Sequence, residues 1–230
     1  MKKFSYNGGG GNLLSSRSKG FTLAEVLVTL GIIGVVSAMT VPSLMQNHQR
    51  KTYVTQLHKF YNILSQALVQ YQNDKNALNL KEAGLTSLDA LDEFFQNYFK
   101  IVSSCNSNVT PCFASEYKNM LGKTYKVGLE HHITLADGTS VAYSYHGGAN
   151  IVFTVYVDIN GPKGPNIAGR DTFAIYIYNN GVIDDYFTGM APMTNEERET
   201  AFNNMCADPK MEKWYGCFGK ILNDNWEMNY

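Results

Sequence analysis

Three groups of residues have the types and spacing to do chemistry. The first lies at 158–171, where Asp158, Asn160, Asn166 and Asp171 stand among Gly161, Pro162, Gly164, Pro165 and Gly169. Their hard side-chain oxygens, completed by backbone carbonyls, suit a calcium ion, although the order departs from the EF-hand and lacks a closing Glu. The same composition builds an ordered turn pinned by Asx hydrogen bonds, and both readings stand at this point. Only Asp158 and Asp171 carry formal charge, so any calcium affinity is expected to be modest. The second group is Cys105, Cys112, Cys206 and Cys217. Three pairings are open, and closeness in sequence with loop-like flanks favours Cys105 with Cys112 and Cys206 with Cys217. Zinc is disfavoured, because no C-x-x-C occurs and no His lies near either pair. The third is Glu25, the one ionisable side chain from Phe21 to Val41.

Other catalytic patterns are thin. Glu130-His131-His132 precedes a strand-like run, and neighbouring strand side chains point to opposite faces, so the two imidazoles do not share an ion. A surface or edge strand is the expected setting. The chain has no Walker loop, no G-x-S-x-G and no H-E-x-x-H.

The elements that must position these groups begin with a membrane-length helix. At about 1.5 Å per residue, the apolar run from Phe21 to Val41 reaches about 30 Å, one hydrocarbon core. A carboxylate near a membrane costs several kcal/mol unless it is compensated. Thr22-Leu23-Ala24-Glu25 fits a capping box, a local compensation at the start of a helix. Ala24, Gly31, Gly34, Ser37 and Ala38 permit close helix packing, and Pro42 is expected to kink or loosen the helix end. Ahead of the span, residues 1–20 carry Lys2, Lys3, Arg17 and Lys19, no acidic residue and a run of four glycines. This reads as a flexible basic leader that stays in the cytoplasm while the bulk of the chain crosses. Without those four cations, the 20 Asp and Glu outnumber the remaining Lys and Arg by about five, so net charge gives no support to nucleic-acid binding.

The stretch Lys19-Gly20-Phe21-Thr22-Leu23-Ala24-Glu25-Val26-Leu27 resembles the amino-terminal signature of type IV prepilins and pseudopilins. The resemblance implies cleavage between Gly20 and Phe21, N-methylation of Phe21, and pairing of Glu25 with the Phe21 amine of a neighbouring subunit during filament growth. The family commonly has a proline where Pro42 falls. It also implies partners: a prepilin peptidase, other pilins or pseudopilins, and an inner-membrane assembly platform with its cytoplasmic ATPase. The segment 158–171 is similar to calcium loops in the heads of some major pseudopilins.

Beyond Pro42, Tyr53, Leu57, Phe60, Tyr61, Leu64, Ala67, Leu68 and Tyr71 recur at helical spacing and predict that the helix continues to about residue 73. A second helix is expected over 85–100 with Ser87 as a cap. Strands are expected over 133–136, 139–145, 151–157, 172–178 and 182–187, with Asp137-Gly138 and Asn179-Asn180-Gly181 as turns. Thr194-Asn195-Glu196-Glu197 should open a helix running to about Met205. The fold class is therefore α+β and pilin-like, a long amino-terminal helix packed on an antiparallel sheet of four or five strands. Its expected divisions are the leader 1–20, the membrane part 21–41, the stalk half of the helix 42–73 and a head 74–230 in the periplasm or an extracellular filament. The cysteines on the exported side imply an oxidising compartment. The function expected is a non-enzymatic subunit of a type IV pilus or type II secretion pseudopilus, without a cofactor unless calcium is structural. A membrane-anchored ligand-binding or enzymatic domain using the same export route is the alternative.

Overall fold

The computed structural model describes Lys3, residues 20–208 and residues 214–230. The remainder of the leader, including Lys2, Arg17 and Lys19, lies outside the described residues. The chain divides into two compact units, Met1–Met45 and Gln46–Tyr230, and helix α1 (Leu23–Asp74) contributes to both.

In the first unit, α1 begins after Thr22 and continues through Pro42. Thr22 and Glu25 form the capping box, with the Thr22 amide and hydroxyl each donating to Glu25 Oε2 at 2.8 Å and the Glu25 amide donating to Thr22 Oγ1 at 3.2 Å. Two of the amide donors at the helix start, which lack intrahelical partners, are thereby satisfied. The apolar side chains from Leu23 to Met45 are exposed all round, and α1 is long and apolar enough to cross a membrane.

The second unit is built on the stripe that α1 carries at helical spacing. Val54, Leu57, Phe60, Leu64, Ala67, Leu68 and Tyr71 are buried. Helix α2 (Leu88–Tyr98) starts where Ser87 Oγ accepts the Ala90 amide at 3.1 Å, and it buries Leu91, Phe94 and Phe95. The sheet comprises β1 (Ile101–Asn106), β4 (His131–Leu135), β5 (Ser140–Tyr145), β6 (Ile151–Asp158), β7 (Thr172–Tyr178) and β8 (Ile183–Asp184), antiparallel in the order β1-β4-β5-β6-β7-β8. The strands β2 (Tyr117–Lys118) and β3 (Thr124–Tyr125) form a separate ribbon. Val141, Val157 and Phe173 lie side by side across β5, β6 and β7, as do Tyr143, Val155 and Ile175. These residues join the helices in one core. The opposite face, with Ala142, Tyr156, Ala174 and Tyr176, is also covered, chiefly by Phe113, Tyr117 and the Cys105–Cys112 link. Burial on both faces explains why β6 and β7 read as continuous apolar runs.

Four expectations are corrected in detail. Strand β1 was not legible in the sequence, because its burial pattern leaves Val102, Ser103 and Ser104 exposed at the sheet edge. The strand expected over 182–187 pairs only at Ile183 and Asp184, because the Asp184 and Asp185 carboxylates take the amides of Asp185 at 2.9 Å and Tyr186 at 2.7 Å in place of a ladder. The helix opened by Thr194 runs as far as expected, as α3 (Asn195–Ala201) and a π-type turn over Phe202–Cys206, but a further, unexpected helix, α4 (Cys217–Asn223), comes later in the chain. His131 and His132 sit on β4, inside the sheet rather than at its edge: His132 is buried with Nδ1 2.9 Å from the Asn106 carbonyl, while His131 Nδ1 lies 2.6 Å from Asp92 on α2.

Candidate functional site

Two places gather the residues singled out in the sequence, one in each unit. At the first, Gly20 and Phe21 precede the helix in an open segment: Phe21 is 87 % exposed, and a Cβ built on Gly20 would meet nothing within 4 Å. Four residues later, the capping box holds Glu25 Oε2 within its own chain, while the carboxylate stays exposed.

The second place is the connection between β6 and β7. Its frame is a row of buried polar side chains at the sheet end, where Ser140, Asp158 and Thr172 lie side by side. From there the chain makes a short 3-10 turn at Gly161–Lys163 and returns along β2, with the Lys118 amide donating to Asn166 O at 2.9 Å and the Ala168 amide to Lys118 O at 2.8 Å. Two glycines permit this path. Gly161 has φ +66° and a Cβ there would lie 2.7 Å from the Gly138 carbonyl, while Gly169 has φ +79° and a Cβ there would lie 2.7 Å from Cys217 Sγ. The loop is thus wedged between the β4–β5 turn and the Cys206–Cys217 disulfide.

Inside the loop both carboxylates are buried. Asp171 accepts the amides of Asn166 at 2.8 Å and Ile167 at 2.7 Å, one on each oxygen, and Tyr117 donates its hydroxyl to Asp158 Oδ2 at 2.6 Å. Asn160 donates to the Gly164 carbonyl at 2.7 Å. Among the described residues, Asp158 Oδ1, Asn160 Oδ1 and Asn166 Oδ1 are buried without a hydrogen bond of ordinary geometry, although the Asn160 and Gly161 amides lie close enough to the Asp158 carboxylate to oppose the rise in its pKa. Orphaned buried acceptors cost free energy and call for an explanation. Burial pushes the Asp158 carboxyl up to about 8, with Asp171 adding repulsion, and burial raises Asp171 as well. Two carboxylates and two amides make an oxygen-only set, the donor type that a hard cation takes. Among the described residues no group of three or more His, Cys, Asp or Glu side chains converges to hold a metal, so any ion here would depend on the amides and backbone carbonyls. Zinc gains nothing, since all four cysteines are in disulfides, Cys105–Cys112 and Cys206–Cys217.

Sequence reasoning missed Tyr117, which faces Asp158 from a two-residue strand 41 positions away and carried no local signal. It also missed the buried pair Asp184 and Asp185. Asp185 accepts the amides of Gly216 at 2.9 Å and Gly219 at 2.7 Å and so anchors α4, while Asp184 pairs with Arg198. Two adjacent acids inside a supposed strand were the available clue.

An exposed apolar helix headed by a capped glutamate, joined to an antiparallel sheet, defines the pilin-like class. The family model described as the prokaryotic N-terminal methylation motif matches residues 15–41. Type II secretion system core protein G of Pectobacterium carotovorum subsp. carotovorum is 35 % identical over 72 residues, which cover 31 % of this chain and 46 % of that protein. The protein of the same name from Aeromonas hydrophila is 35 % identical over 72 residues, covering 31 % of this chain and 50 % of its own length. The chain therefore spans about half the length of these relatives. No solved structure gives a significant match. Motif, fold and relatives together support a place for the chain in the type IV pilin and pseudopilin family.

Proposed function

We propose that the chain is a structural, non-enzymatic subunit of a type II secretion pseudopilus or a kindred type IV filament. The observation that carries this reading is the wholly exposed apolar helix that follows Gly20 and bears one carboxylate, Glu25. Such a surface is stable only in lipid or against other apolar helices. The peptidase cuts between Gly20 and Phe21 and methylates the new amine; the inner-membrane platform and its cytoplasmic ATPase then draw the subunit into contact with other pseudopilins. The amino terminus starts in the cytoplasm and the head lies in the periplasm or the filament. In the filament, Glu25 exchanges its bond to the Thr22 amide for the Phe21 amine of a neighbour, an ion pair with the same carboxylate. Mass spectrometry of filament subunits should find methylated Phe21 at the amino terminus. Glu25→Ala should still insert in the membrane but lose most of its entry into filaments. An intact leader in assembled protein, or an unchanged filament yield from Glu25→Ala, sinks this reading.

We also propose that the loop between β6 and β7 takes a structural calcium ion through Asp158, Asn160, Asn166 and Asp171, with a hydrogen-bonded turn as the alternative. What supports it is the burial of Asp158 Oδ1, Asn160 Oδ1 and Asn166 Oδ1 without hydrogen bonds of ordinary geometry among the described residues. A cation there would satisfy those acceptors and offset two buried carboxylates; it would fix the loop and perform no reaction. By mass action a ligand at about 100 times its dissociation constant adds roughly 2.7 kcal/mol. The full chain in detergent should therefore melt higher in millimolar calcium than in chelator, and Asp158→Ala with Asp171→Ala should abolish the difference. Equal melting of the unmutated protein in both buffers leaves a hydrogen-bonded turn as the explanation.

A further inference from the structure

The head carries a cationic cleft at the first turns of its share of α1. Gln46, Gln49, Arg50 and Tyr53 of that helix form one wall, and Pro165, Ile167 and Arg170 of the β6–β7 connection form the other, enclosing about 270 Å³ with Met120. None of the lining residues is acidic. Arg50 Nε is buried and has no hydrogen-bond partner. Among the described residues neither Arg50 nor Arg170 has an ion-pair partner. Asp171, next in sequence to Arg170, forms no ion pair with either arginine among the described residues. A pair of guanidinium groups beside glutamine amides, with one buried donor unmet, is an arrangement for a phosphate: planar forks supply paired donors to its oxygens.

The sequence says which phosphate. Between Glu25 and Asp74, α1 has no acidic residue but carries Arg50, Lys51 and Lys59. Cations flanking a span on its exported side run against the usual bias, and so need a reason. Arg50 follows Val41, the end of the apolar run, by nine residues. Basic residues so close in sequence to a span are suited to anionic headgroups. We propose that this cleft binds the phosphate of an anionic phospholipid headgroup and seats the unassembled subunit on the outer surface of its membrane. The inference rests on the membrane-anchored reading above.

The test uses the full chain in nanodiscs of equal parts phosphatidylglycerol and phosphatidylcholine. Native mass spectrometry should find phosphatidylglycerol retained over phosphatidylcholine by roughly 10- to 30-fold, the range two basic residues give at an anionic surface. Arg50→Gln with Arg170→Gln should remove the preference while the chain still floats with vesicles. In the unmutated chain, phenylglyoxal should modify Arg50 and Arg170 more slowly in phosphatidylglycerol discs than in phosphatidylcholine discs, a readout that needs no variant to fold. Displacement of the lipid by tens of millimolar inorganic phosphate would assign the cleft to free phosphate and overturn the proposal. So would equal retention of the two lipids, an unchanged preference in the folded double variant, or equal modification in both discs. A chain that does not float with vesicles at all would instead overturn the membrane reading on which the proposal stands.

Discussion

Replacing Arg198 with Ala removes the cation from a buried carboxylate. The guanidinium donates Nε to Asp184 Oδ1 at 2.9 Å and Nη2 to Asp184 Oδ2 at 2.7 Å, a two-point fork. The Asp184 side chain is 0 % exposed and that of Arg198 is 15 % exposed, so solvent screens the pair little. Breaking one side of such a pair costs about 3–5 kcal/mol, most of it the desolvated charge left behind. Asp184 keeps the amides of Asp185 and Met193, both at 2.9 Å, which places Arg198→Ala at the low end of that range, about 3 kcal/mol. For a domain of this size each kcal/mol moves the melting temperature by about 2–4 °C, giving a drop of roughly 6–12 °C. Thermal melting of the full chain in detergent, followed by near-ultraviolet circular dichroism, measures it. Arg198→Lys should fall between, since it keeps charge but loses the fork. Asp184→Asn with Arg198→Met should cost less than Arg198→Ala, because no buried charge remains. A loss below about 1 kcal/mol for Arg198→Ala, the range of an exposed pair, would refute the argument that burial controls this contact.

Two further outcomes follow from the same geometry. Burial raises Asp158 to about 8, Asp185 to about 6 and Asp171 above its ordinary value of 3.8. Each such carboxyl contributes stability that is fully present below its unfolded pKa and lost as pH rises through the folded one. In chelator, melting temperature should therefore fall between about pH 4 and pH 8. His132, lowered from 6.5 by burial, acts the opposite way as pH drops below 6.5; a melting temperature that rises steadily from pH 4 to 8 would contradict the dominance of the carboxyls. Gly169→Ala should destabilise by about 2–4 kcal/mol in urea titration, from a left-handed backbone plus a clash with Cys217, whereas Gly122→Ala, at φ +81° with nothing within 4 Å, should cost only about 1–2 kcal/mol. Equal losses at the two positions would mean that the loop does not press on the disulfide.

What the sequence determined by itself were features written in contiguous or periodic residues. Gly20, Phe21 and Glu25 with the apolar run behind them carried the resemblance to pilins and pseudopilins, because a short motif and an apolar run are local. The stripe from Tyr53 to Tyr71 and the Ser87 and Thr194 caps announced helices, because capping and amphipathicity act over one or a few turns. Strands β4 to β7 were legible from their apolar runs and turns, and hence so was the α+β pilin-like fold. The tertiary structure alone decided what depends on distant partners. Edge strand β1 exists because β4 offers it a ladder, and β8 stops after two residues because Asp184 and Asp185 are drawn to Arg198 and the start of α4. The Asp158 and Asp171 loop looked in the sequence like a set of oxygens on a turn. Only folding placed Tyr117 against one carboxylate, gave the other two backbone amides and buried Asp158 Oδ1, Asn160 Oδ1 and Asn166 Oδ1. Spacing along a chain limits which residues can share a turn, but hydrogen-bond satisfaction and burial are set by what packs on top, and that is a property of the whole head.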